Sequence, residues 1–94
     1  MSRTFTASRV SENNVLFPPT VEMNDEGVLI IIPHLLKKET VFIPYNAVSA
    51  VHLSTPIVGF STVSFYAYGK EFKAHGFLKG EVQEMKRIVE QNRG

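Results

Sequence analysis

Apolar and polar positions alternate in short runs along most of the chain, and the pattern changes only near the end. Over residues 78–91, LKGEVQEMKRIVEQ, Leu78, Val82, Met85 and Val89 fall at spacings of four, three and four, with Ile88 beside them. That is one apolar stripe on a 3.6-residue period, and it predicts an amphipathic C-terminal helix. Glu81 and Glu84 lie early and Lys86, Arg87 and Arg93 late, the polarity a helix dipole favours. Gly80 weakens the first turn, so the helix proper is expected to begin a residue or two later.

Upstream, the two-residue period predicts strands. Residues 3–10 place Phe5 and Ala7 on one face and Thr4, Thr6 and Ser8 on the other, a first edge strand. Residues 11–14 are polar and turn-like, and Val15, Leu16, Phe17, Pro18 and Pro19 make an apolar, proline-stiffened loop that no central strand could hold. Residues 20–24 form a short strand with Val21 and Met23 on one face. Asp25, Glu26 and Gly27 make a turn in which Gly27 is expected to supply a positive φ. Residues 28–32 read as the most buried strand, ended by Pro33, and residues 34–38 as a loop with two exposed leucines.

Residues 39–43 form the next strand, stopped by Pro44, and Tyr45 and Asn46 turn the chain. In residues 48–53 Val51 and Leu53 face in and His52 out. Residues 54–59, STPIVG, are a loop with an apolar tip. Residues 60–68 put Val63, Phe65 and Ala67 on one side and Thr62, Ser64, Tyr66 and Tyr68 on the other. Gly69 and Lys70 read as a two-residue hairpin turn. Residues 71–75 follow, with Phe72 and Ala74 in and Lys73 and His75 out, until Gly76 breaks the strand.

The expectation is one domain over residues 1–94, with about seven strands across residues 3–75 and a helix over about 78–92. Ninety-four residues suit a single thin core. A net charge of +1 does not mark a nonspecific nucleic-acid binder. The absence of Cys removes disulfides and thiolate chemistry. The opening MSRTFTASRV has no apolar stretch of a secretory signal, and no run approaches the ~20 residues of a membrane span, so a soluble, cytoplasmic protein is expected.

Seven strands followed by one amphipathic helix is the order of a pleckstrin-homology (PH) domain. Ile43-Pro44-Tyr45-Asn46-Ala47-Val48-Ser49-Ala50-Val51 resembles the strand-turn-strand segment of bacterial PH-like domains. Phe72-Lys73-Ala74-His75-Gly76-Phe77 before the helix, and Asp25-Glu26-Gly27-Val28-Leu29-Ile30, are similar too, and together they cover residues 20–91. The resemblance implies a mainly β fold, a seven-stranded antiparallel barrel or two near-orthogonal sheets with the helix covering an open corner. An OB-fold would place its helix between strands. The resemblance also implies an interaction or ring-forming module, as some bacterial relatives are. The basic residues of lipid-binding eukaryotic PH domains are missing from the loop SENNVLFPP, and the chain has no Trp.

Catalytic chemistry has little to stand on. His34, His52 and His75 lack a metal-ligand spacing. Asp25, the sole Asp, sits in a turn, and no nucleophile elbow precedes a helix. No cofactor and no enzymatic activity are expected. The informative feature is the apolar loops: Leu16 and Phe17, Leu35 and Leu36, and Ile57, Val58 and Phe60. Loops favour polar residues, so these are candidate contacts to a protein partner or a second copy. The alternative is peripheral binding to anionic membrane lipid through Lys37, Lys38, Lys70 and Lys73; the same lysines with Arg3 and Arg9 are also a candidate patch for nucleic acid, with Tyr66 and Tyr68 as stacking surfaces, against which the interleaved acidic residues weigh.

Overall fold

The structure is a computed structural model that describes residues 2–10 and 18–93. Seven strands and one helix follow in the expected order. They are β1 (Arg3–Thr6), β2 (Thr20–Met23), β3 (Gly27–Pro33), β4 (Lys38–Pro44), β5 (Val48–Ser54), β6 (Ser61–Ala67), β7 (Lys70–Phe77) and α1 (Lys79–Asn92), with a 3-10 turn at Tyr45–Ala47 between β4 and β5. The strands form two antiparallel sheets, ordered β1-β2-β3-β4 and β5-β6-β7. The sheets are not closed into a barrel, and the arrangement is consistent with a PH-like fold.

Alternation decides which side chains go inside. Phe5, Val21, Met23, Val28, Ile30 and Ile43 are buried from the first sheet, and Val48, Val63, Phe65, Ala67 and Ala74 from the second. Val51, Leu53 and Phe72 pack partly buried against them. The most continuously buried strand is β6 rather than β3: both are interior strands, but in β6 even Ser61 and Ser64 are covered. The first strand stops at Thr6 rather than running on to Val10, though Ala7 stays in the core.

Val82, Met85 and Val89 of α1 are fully buried. A 14-residue helix alone is marginal in water, so this burial, roughly 1.5–3 kcal/mol per side chain, is what holds it. Leu78 departs from the predicted stripe: it is the residue before the helix and is exposed. The helix begins at Lys79 and includes Gly80. The first turn forms despite the glycine because the Glu81 carboxylate accepts the Leu78 N–H at 2.8 Å, and the Leu78 carbonyl accepts from Glu81 and Val82.

Two turns and one strand end differ from expectation. Gly27 does not use a positive φ; it is needed because a Cβ there would lie 2.3 Å from the Ile43 carbonyl oxygen. The β6–β7 hairpin turns on Tyr68 and Gly69, at φ 56 and 72, with Ala67 opposite Lys70. Two successive positive φ angles are the signature of a type I′ turn. Gly76 does not end β7. At φ 116 it is the extra residue of a bulge, since His75 faces Thr62 while Phe77 faces Ser61. The Gly76 carbonyl accepts the Ser8 N–H at 2.8 Å, which laces the end of β7 to the chain leaving β1.

Candidate functional site

Register fixes where the connections emerge. Thr6 faces Thr20, Thr20 faces Ile31, and Ile31 faces Thr40, so the β1–β2 connection and the β3–β4 loop leave the same end of the first sheet. Ser54 faces Thr62 and Ser61 faces Phe77, so the β5–β6 loop leaves the second sheet beside the end of β7. The Ser8–Gly76 bond joins these two ends.

The apolar tips sit on those connections. Leu35, Leu36, Ile57 and Val58 are 77%, 93%, 105% and 86% exposed. The His34 N–H closes the tight β3–β4 loop on the Lys37 carbonyl at 2.6 Å, which pushes both leucines outward. Phe60 differs from the other tips: it is partly buried. Leu16 and Phe17 lie outside the described residues.

The cations are not gathered into one patch. Lys37 adjoins the two leucines and Lys38 opens β4 opposite Pro33. Lys70 is at the far end of β7 from Gly76, next to the exposed Tyr68, and Lys73 is mid-strand. Arg3 is paired with Glu84 at 3.0 Å, and its guanidinium also lies over the Phe5 ring. Glu84 binds Arg87 as well; that hydrogen bond, with the two guanidinium charges, holds the Glu84 carboxyl below its ordinary range.

A polar grid covers the outer face of the second sheet. Cross-strand rows run His52–Ser64–Lys73, Ala50–Tyr66–Glu71 and Ser54–Thr62–His75. Small hydroxyls make the floor and long side chains the rim, giving a shallow cleft over His52, Ser64, Tyr66, Glu71 and Lys73. The Tyr66 hydroxyl donates to Glu71 at 3.0 Å, and Thr62 Oγ1 lies 2.6 Å from His75 Nδ1. Hydrogen bonds from the Ser64 and Tyr66 hydroxyls lower the Glu71 pKa, helped by the Lys73 and His52 charges. The same bond to Glu71 is the main reason that the Tyr66 pKa is raised. The Glu71 carboxylate is thus occupied by its own neighbours. His34 lies 3.5 Å from Glu39 across the β3–β4 hairpin. Among the described residues no three metal-ligating side chains converge, and no helix is long and apolar enough to cross a membrane.

Neither a protein-family model nor a curated protein matches this chain.

Proposed function

We propose that the chain is a PH-like, non-enzymatic interaction module that docks a protein partner, or a second copy, through its protruding loop tips. The observation that carries this reading is the exposure of Leu35, Leu36, Ile57 and Val58 on loops leaving linked ends of the two sheets. Large apolar side chains held out in water cost free energy that a contact recovers, about 25 cal/mol per Å² buried. The polar grid supports a non-enzymatic reading, since its one carboxylate is held by Ser64 and Tyr66. Affinity capture from host extract tests the proposal, comparing the native chain with a variant carrying Leu35→Ser, Leu36→Ser, Ile57→Ser and Val58→Ser. A partner lost with the loop variant supports it; the same proteins retained by both would sink it.

One observation favours a second reading: Lys37 and Lys38 directly follow the two exposed leucines. Apolar tips beside cations suit an anionic bilayer surface. Co-sedimentation with anionic vesicles at low and moderate salt decides it, and no binding at either salt removes it.

A further inference from the structure

We infer that the outer edge of β5 pairs with β5 of a second copy, joining two three-stranded sheets into one six-stranded sheet. The inference concerns a different surface from the loop tips and stands independently of them.

Among the described residues, four strand edges are left by the two sheets: β1, β4, β5 and β7. An open edge carries unpaired N–H and C=O groups, and native edges are normally guarded by charge, proline, shortness or a bulge. Three of the four are guarded here. β1 is four residues long and begins at Arg3. β4 begins Lys38-Glu39 and ends at Pro44. β7 carries Lys70, Glu71 and Lys73, and its far end is bulged at Gly76 and bonded to Ser8.

β5 is bulged at Ser49, since Val48 faces Ala67 while Ala50 faces Tyr66, but residues 50–54 carry none of these devices. Its sequence, VSAVHLS, contains no Asp, Glu, Lys, Arg or Pro, and it runs for seven residues. It lies within a longer stretch, residues 40–69, that holds no Asp, Glu, Lys or Arg at all. At its start the Arg93 guanidinium donates to the Ser49 carbonyl at 3.3 Å. Beyond that, among the described residues, no turn, loop or cap backbone bond reaches residues 50–54, and Ala50, His52 and Ser54 are exposed.

Neutrality selects the occupant. In a twofold antiparallel contact residue i of one copy faces residue j of the other and j faces i, so a strand bearing several charges of one sign would oppose like charges in its copy. A strand without charged residues meets that requirement. One strand pair is a small interface, on the order of 1,200 Å² or less, so the dimer is reversible rather than obligate.

Sedimentation equilibrium over a wide concentration range, with the full chain, tests the inference. The native chain should dimerise as concentration rises. Ala50→Lys with Ser54→Lys, both at exposed positions, should weaken dimerisation at least tenfold while the circular dichroism spectrum stays native. Ala50→Glu with Ser54→Glu should do the same, and mixing the two variants should restore a heterodimer. A native chain that stays monomeric up to about 1 mM overturns the inference, as does a lysine variant that dimerises normally. A dimer broken by the loop substitutions but not by these would also overturn it, and would place self-association on the loop tips instead. Failure of the loop variant to lose a partner leaves the β5 result untouched, so the two readings fail separately.

Discussion

Gly27 lies so close to the Ile43 carbonyl, one residue before its register partner Pro44, that no side chain fits between them: a Cβ on Gly27 would lie 2.3 Å from the Ile43 carbonyl oxygen and 2.8 Å from Pro44 Cα. The neighbours are backbone atoms of β4, which cannot swing aside. Gly27→Ala should therefore destabilise the protein by about 1–3 kcal/mol, through displacement of the β3–β4 ladder. Gly80 is the opposite case, a helical glycine with nothing within 4 Å of an added Cβ. Gly80→Ala should stabilise by about 0.5–1 kcal/mol. Urea midpoints of the two variants should move in opposite directions, and equal shifts would show that backbone contact does not set the cost at Gly27.

The two ends of the helical stripe should also behave differently. Met85 is fully buried, whereas Leu78 is 63% exposed. Truncating a buried side chain of this size costs about 2–5 kcal/mol, and an unpaired carboxylate adds to that. Total stability is only about 5–15 kcal/mol for a domain of this kind. Met85→Asp should therefore unfold the protein, and Val82→Asp likewise, while Leu78→Asp should stay within about 0.5 kcal/mol of native. A well-folded Met85→Asp, by circular dichroism and thermal melting, would mean that the stripe faces a partner instead.

The exchange of Leu78 from stripe to helix entrance illustrates what sequence patterns can carry. Period alone places seven strands and a helix in order, because burial of one face is what selects each element. Period cannot separate the last apolar residue of a loop from the first of a helix, since both fit the spacing. It misplaces the hairpin between β6 and β7 by one residue, because Tyr68 takes a positive φ usually left to Gly or Asn. That single residue moves the register by two: a turn on Gly69 and Lys70 would set Tyr66 opposite Lys73, whereas Tyr66 in fact faces Glu71. The polar grid is invisible in the sequence for that reason. The exposed leucines, by contrast, are legible, because a Pro33-bounded loop of four residues cannot fold its side chains back into the core.

Tyr45 ties the connection between the sheets to the β2–β3 turn, its hydroxyl donating to the Asn24 carbonyl at 2.6 Å. Asn24 in turn receives the N–H groups of Glu26 and Gly27 on its side-chain oxygen, so one bond anchors a closed turn. Tyr45→Phe should cost about 1 kcal/mol at neutral pH. Burial, and then the nearby Asp25 charge, raise the Tyr45 pKa above the ordinary value of about 10. A raised folded pKa means that the stabilisation is complete below pH ~10 and is lost as pH climbs through the higher folded value. The gap between native and Tyr45→Phe should hold steady up to about pH 10 and close above it. Denaturation midpoints measured from neutral to strongly alkaline pH check this; a gap that widens above pH 10 would reverse the assignment.

Glu71 should leave its mark at the acid end. Its folded pKa is lowered, first by the Ser64 hydroxyl, then by Tyr66, with Lys73 and His52 adding favourable charge. A group with a depressed folded pKa contributes stability above its unfolded value, about 4.3 for Glu, and loses it as pH falls through the lower folded value. Glu71→Gln keeps an acceptor for the two hydroxyls but removes the charge. The native protein should be the more stable of the two at neutral pH, and the midpoints should converge below about pH 4. Salt should shrink the neutral-pH difference without removing it, because the hydroxyl bonds precede the charges in size and only the charges are screened. A difference that persists unchanged at pH 2 would show that the Glu71→Gln substitution perturbs packing, and that the carboxylate's charge is not what Ser64 and Tyr66 hold in place.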